Sequence, residues 1–245
     1  MIDRAVIDVG NSSSTVGLMH GLKVLETHRF LRLDPETPGA IRSLLVAQLP
    51  PGVEVRIAGV HPQAVAALIE ALGSQFPVLV APTDFAPPIR NRCIPREAVG
   101  LDRLFGAAAA ARDGVPVVIV DAGTAITVDW VGPEGDFEGG AIAAGVGLSF
   151  RALHTQTGQL PLVRAREPDS GPAEIPARAT RTDDAIRSGV IRGLAGLVDR
   201  LVAEVSGREE NRVVLTGGDG LTLLPYLRCG ARFDPDLLLR GIALP

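Results

Sequence analysis

The sequence predicts an α/β protein of two similar domains, each a mixed sheet with helices packed on it, and three observations carry that prediction. First, Ala5–Leu18 (AVIDVGNSSSTVGL) and Val117–Val131 (VVIVDAGTAITVDWV) align when Asp8 is laid on Asp121: an apolar residue, Asp, any residue, Gly and a small polar residue recur in both. Second, the first half reads in the order β-β-β-α-β-α-β, the order of a five-stranded mixed sheet with helices on it. Third, 245 residues with 46% hydrophobic and 21% charged side chains suffice for two cores of ordinary size. The expected boundary falls between 1–114 and 115–245.

Each repeat opens with β-branched residues in a short apolar run, as suits a strand covered on both faces. Each then sets a carboxylate at the strand exit, where Gly10 or Gly123 lets the backbone turn sharply. Asn11, Ser12, Ser13, Ser14 and Thr15 in one copy, and Thr124 to Thr127 in the other, bring hydroxyls and N–H groups able to cradle phosphate oxygens. Two acids facing polyphosphate require a cation between them. Mg²⁺ uses one or two carboxylates with water and phosphate, so the pair Asp8 and Asp121 predicts a nucleoside triphosphate site. A single Asp-x-Gly alone would be read as a turn former or a helix cap.

In order, Ile2 to Asp8, Val16 to Met19 and Lys23 to Glu26 read as strands, with His28 to Leu33 able to extend the meander. Ile41, Leu44, Leu45 and Leu49 give an amphipathic helix stopped by Pro50-Pro51-Gly52; Val53 to Val60 is a strand, Gln63 to Leu72 a helix and Pro77 to Val80 a strand. Pro82 to Pro95 reads as an extended connection. Val99-Gly100-Leu101-Asp102-Arg103 opens the alanine-rich helix Leu104 to Arg112. There Asp102 and Arg103 suit either a base beside an anion contact or a capping acid beside a solvated arginine.

The second copy repeats strand, turn and strand through Trp130. Phe137 to Leu148 (FEGGAIAAGVGL) is rich in glycine and admits close backbone approach. Ser149 to Gln156 reads as helix, and Arg164 to Arg178 as a mobile loop. Thr182-Asp183-Asp184 caps a long helix, Ala185 to Val205, expected to serve as a core or dimer helix. Arg212 to Thr216 is the last core strand, its Gly217-Gly218 a shelf for adenine and ribose, and Phe233 to Leu244 closes the fold by packing.

A formal charge of −4 and pI ≈ 5.6 leave no basic footprint for nucleic acid and favour a small-molecule partner. The start MIDRAVIDVG lacks a signal pattern and no apolar run spans a bilayer, so no membrane role and a cytoplasmic location are expected. Cys93 and Cys229 read as reduced thiols, and the four histidines have no zinc spacing. Neither G-x-x-x-x-G-K-[ST] nor a full G-x-G-x-x-G is present.

Together DVGNSSST (Asp8–Thr15), VGLDR (Val99–Arg103), DAGTAITVD (Asp121–Asp129), FEGGAIAAGVGLSFRAL (Phe137–Leu153), RTDDAIRSGVIRGLAGLVD (Arg181–Asp199) and LTGG (Leu215–Gly218) resemble the type III pantothenate kinase family, over nearly the whole chain. The resemblance implies duplicated ribonuclease H-like (actin-like ATPase) domains with mixed five-stranded sheets, and ATP-dependent phosphorylation of pantothenate, the first step of coenzyme A biosynthesis. It implies that Asp8, Val9, Gly10, Asn11, Ser12, Ser13, Ser14 and Thr15 hold ATP phosphates and magnesium, with Thr124 touching ATP. Gly100, Leu101, Asp102 and Arg103 would contact pantothenate, with Asp102 as the base. Asp121 would sit at a monovalent cation site, K⁺ or NH₄⁺, and Thr182 would reach a pantothenate pocket assembled at a homodimer interface. Three positions depart from the family pattern: Cys93 stands where a tyrosine helps enclose pantothenate, Ala144-Gly145 replaces Pro-Gly, and Ser12-Ser13 replaces Thr-Asn. The alternatives are a kinase for another small alcohol and a nucleotide-binding regulatory protein of the same fold.

Overall fold

The computed structural model describes residues 1–31, 34–165, 175–207 and 211–245. It divides into two compact units, one of Met1–Gly114, Gly135–Phe137 and Asp236–Pro245, the other of Val115–Glu134 and Glu138–Pro235.

The first unit holds β1 (Arg4–Val9), β2 (Ser13–His20), β3 (Lys23–Leu31), α1 (Thr37–Gln48), β4 (Glu54–Gly59), α2 (Pro62–Leu72), β5 (Val78–Val80), α3 (Leu101–Arg112) and a late helix, residues 237–243. The sheet order is β3-β2-β1-β4-β5, with β1, β2 and β3 antiparallel and β1, β4 and β5 parallel. Alternation along β1 sorts its side chains between two layers. Ala5, Ile7 and Val9 pack with Ile41 and Leu45 of α1 and Leu68 and Leu72 of α2. Val6 turns to the other face and packs with Phe105 of α3 and with Leu239 and Ile242 of the late helix. Asp8, two positions on, shares that second face.

The second unit holds β6 (Val117–Ala122), β7 (Ala125–Val131), β8 (Phe137–Ala144), whose first residue belongs to the first unit, α4 (Val146–Thr155), α5 (Thr182–Val205), β9 (Arg212–Thr216), α6 (Gly220–Leu223) and β10 (Arg232–Phe233). The late helix of the first unit is thus α7 (Leu237–Ala243). The sheet order β10-β9-β6-β7-β8 is the first sheet's order strand for strand. On one face Val118, Val120 and Ala122 pack against Ile186, Val190, Ile191 and Val198 of α5. Asp121 lies on the opposite face.

The two sheets carry the predicted duplication, and each is the ribonuclease H-like arrangement expected from the family resemblance. Several boundaries differ from expectation. β2 begins at Ser13, three residues earlier than predicted, because Ser14 pairs with Val9 and Thr15 with Asp8; ladder pairing outweighs the turn preference of serine. α3 begins at Leu101 and α4 at Val146, absorbing polar and glycine residues that local propensity assigned to loops. Thr182 is the first residue of α5, not its cap: Arg181 holds the cap position without a side-chain bond, and Asp184 pairs with Arg187 at 3.0 Å. The strand extension to Leu33 and the loop Arg164 to Arg178 run beyond the described residues, at 32–33 and 166–174.

Candidate active site

The first unit presents a row of side chains across four strands. Register sets Ala58 of β4 beside Asp8, Asp8 beside Thr15 of β2, and Thr15 beside Arg29 of β3. All four lie on the face that α3 and α7 partly cover. Asp8 and Thr15 are half-buried and Arg29 is exposed. The hairpin joining β1 to β2 closes with Gly10 N donating to Ser13 O at 3.0 Å, which leaves Asn11 and Ser12 exposed at its tip. Ser13 is drawn towards Arg29, whose Nε donates to Ser13 Oγ at 3.0 Å. Ser14 faces the other way: it is 4% exposed and lines a cavity of about 200 Å³ with Asp34, Thr37, Ile41 and Leu68. Of the expected phosphate-turn residues, Asp8, Ser13 and Thr15 therefore share one face and Ser14 the other.

Asp102 belongs to the same unit. Its motif starts α3 with Gly100 at the N-cap position, and no side chain caps the helix there. Asp102 Oδ1 instead accepts the Arg103 N–H at 2.8 Å, so the acid sits within the first turn, where the helix dipole favours its charge. The carboxylate folds back over Gly100: a Cβ at Gly100 would lie 2.4 Å from Asp102 Oδ1 and 3.8 Å from Val60 Cγ1. Since Val60 N donates to Val9 O at 3.1 Å, Asp102 starts its helix at the end of the β1–β4 pair from which Asp8 also emerges. Among the described residues, Asp102 forms no salt bridge.

The segment leading to α3 is pinned. Asn91 Oδ1 accepts the Cys93 N–H at 2.9 Å and Asn91 Nδ2 donates to Arg96 O at 3.0 Å. Arg92 pairs with Asp136 at 2.6 Å, and the Arg103 guanidinium lies over the Phe137 ring, 5.5 Å from its centroid. Cys93 is half-buried in this segment. These ties hold Cys93, Asp102 and Arg103 in one unit; sequence reasoning missed Asp136 and the part Phe137 plays because Arg92 and Arg103 are distant from them in the chain, and missed Asn91 because its local bonds to Cys93 and Arg96 follow no motif.

In the second unit Asp121 lies beside Thr127 of β7 and Thr216 of β9. Its hairpin is one residue shorter than the first: Val9 and Ser14 enclose 10–13, whereas Ala122 and Ile126 enclose 123–125. Two glycines wall this corner. Gly217 has φ +91°, and a Cβ there would lie 2.3 Å from Asp121 Oδ1. Gly145 donates its N–H to Thr124 O at 3.1 Å, and its Cβ would stand 2.3 Å from Gly123 O. Glycine at both places keeps carboxylate and carbonyl oxygens uncrowded, and an all-oxygen donor set suits a hard cation. Among the described residues, no three His, Cys, Asp or Glu side chains gather into a metal-binding group. Thr182, at the exposed start of α5, is in the second unit.

The sequence profile of the type III pantothenate kinase family matches residues 5–204. A type III pantothenate kinase from Alkalilimnicola ehrlichii is 36% identical, over 97% of this chain and 95% of the relative. The chain belongs to the type III pantothenate kinase family. Members of that family are ATP-dependent kinases. Two solved structures share the fold: a Baf family transcriptional activator from Campylobacter jejuni has a TM-score of 0.62 at 21% identity, over 97% of this chain and 94% of that one. The (R)-2-hydroxyglutaryl-CoA dehydratase component A of Acidaminococcus fermentans has a TM-score of 0.53 at 14% identity, over 99% and 95%. At such identities they speak for the fold alone. No helix among the described residues is long and apolar enough to cross a membrane.

Proposed function

We propose that this protein transfers the γ-phosphoryl group of ATP in line to the primary hydroxyl of pantothenate, as a cytoplasmic homodimer. The observation that carries the reading is Asp102: a carboxylate in the first turn of α3, held by the Arg103 N–H and without a salt bridge among the described residues, at the same strand ends as Asp8. Such a group can accept the hydroxyl proton as the oxygen attacks phosphorus.

Asp8 and the turn Val9 to Thr15 bind the phosphates, with Ser13 and Thr15 on the Asp8 face. The oxygen donors there fit Mg²⁺, which when bound neutralises phosphate charge. Asp121, with the carbonyls beside it, would hold K⁺ or NH₄⁺, while Thr124 contacts ATP. Gly100, Leu101 and Arg103 orient pantothenate, and the Phe137 ring fixes the Arg103 guanidinium for an anionic partner. Thr182 reaches the pocket at the homodimer interface, and Cys93 forms the wall for which the family resemblance implies a tyrosine.

Phosphoryl transfer depends mainly on positioning and charge, and a carboxylate base supplies roughly 10²- to 10⁴-fold. Asp102→Asn should fold, bind ATP as the native chain does and lose turnover by about that factor; near-native turnover would remove Asp102 from the role. The direct test is ATP-dependent phosphorylation of pantothenate with magnesium, comparing potassium or ammonium with sodium. If ATP binds and pantothenate is not phosphorylated, the cysteine that stands in place of the family's tyrosine at Cys93 directs the search to other small alcohols. Sedimentation at micromolar concentration tests the dimer.

A further inference from the structure

We infer that Arg29, on β3, is a phosphate-positioning residue of this site. The inference rests on the phosphate-turn reading above and adds a cation that the sequence motifs do not contain.

Four observations support it. Register carries the row Asp8–Thr15–Arg29 across β1, β2 and β3, so Arg29 is on the face from which Asp8 and Thr15 project. Its Nε donates to Ser13 Oγ at 3.0 Å, which anchors the guanidinium at the first residue after the hairpin tip. The side chain is exposed, so its charge reaches solvent on the ligand side of the sheet. Among the described residues, no carboxylate lies within ion-pair distance of it.

The chemistry follows from donor direction. Because the Ser13 oxygen accepts from Arg29, the hydroxyl hydrogen is released to donate elsewhere, and a phosphate oxygen at the hairpin is an acceptor of the right kind. The two terminal guanidinium nitrogens present a planar fork suited to two phosphate oxygens, a match that a lysine ammonium does not reproduce. A polyphosphate beside Asp8 brings negative charge to a carboxylate. Arg29 supplies a fixed positive charge on the far side of Thr15, so the protein offsets part of that repulsion itself and the divalent cation need not do so alone.

The test is calorimetric titration of native protein, Arg29→Gln, Arg29→Lys, Ser13→Ala and Lys23→Gln with ATP, ADP and adenosine in magnesium buffer. Lys23 is an exposed cation at the other end of β3 and controls for loss of charge at a distance. Arg29→Gln should weaken ATP and ADP by about 10- to 100-fold and leave adenosine unchanged. Arg29→Lys should recover part of the loss, Lys23→Gln should match the native protein, and in the double variant Ser13→Ala with Arg29→Gln, titrated alongside, the serine change should cost less than it does alone. Equal weakening of adenosine, or native ATP affinity in Arg29→Gln, overturns the role of Arg29 while the phosphate-turn reading stands. If the native protein binds neither ATP nor ADP, that reading itself fails.

Discussion

Two residues of the second unit invite tests at single-side-chain scale. Burial, together with a hydrogen bond and the negative charge of Asp199, raises the Cys229 thiol to about 11. Folding therefore favours the neutral thiol: the associated stability is full below the ordinary thiol range and is lost as pH rises from about 9 towards 11. Urea midpoints should fall over that interval in the native protein and fall less in Cys229→Ala. At pH 8, Cys229 should react with iodoacetamide far more slowly than a free thiol does. Gly217 is the other. With φ +91° and no room for a Cβ beside Asp121, Gly217→Ala should cost about 1–3 kcal/mol. If Asp121 holds the monovalent cation, as proposed above, Gly217→Ala should reduce any stimulation by K⁺ or NH₄⁺ more than it reduces ATP binding; equal loss of both would separate Asp121 from that role.

At the scale of elements, α7 locks the first unit. Arg4 Nη1 donates to Ala243 O at 2.7 Å and Arg56 Nη1 to Leu244 O, so two strand arginines hold the end of the helix. Glu54 lies between them, 2.8 Å from Arg56 Nε and 3.1 Å from Arg4 Nε, the latter too skewed to count as a hydrogen bond. Gly241 meets α3 so closely that a Cβ would stand 2.1 Å from Phe105 O. Gly241→Ala should push the helices apart and destabilise by about 1–3 kcal/mol, read by urea denaturation. Because α3 carries Asp102, turnover should suffer with it; full activity at reduced stability would show that the start of α3 is insensitive to its packing. The sequence signalled the tail as packing, since Leu237, Leu239 and Ile242 are apolar. It could not say which sheet they cover, because that choice depends on contacts more than 200 residues apart, such as Arg4 to Ala243.

For the whole molecule, duplication was legible because the repeated Asp-x-Gly follows an apolar strand in both halves, and the two sheets share one strand order. The start of α3 was legible too, within three residues. Arg29 was not, because its relation to Asp8 runs through two strand registers and no sequence spacing encodes it. Ser14 was grouped with its neighbours, yet strand alternation turns it to the opposite layer. Such side-to-side relations arise only once ladders form.

The first unit takes Asp236–Pro245 for its own core. During synthesis, Val6, Met19 and Phe105 are thus made early, but the Leu239 and Ile242 that cover them emerge only after all of the second unit. At roughly 5–20 residues per second that interval is on the order of ten seconds. For that time the sheet face around Val6 and Met19 lacks its α7 cover, so the unit begun first is completed last.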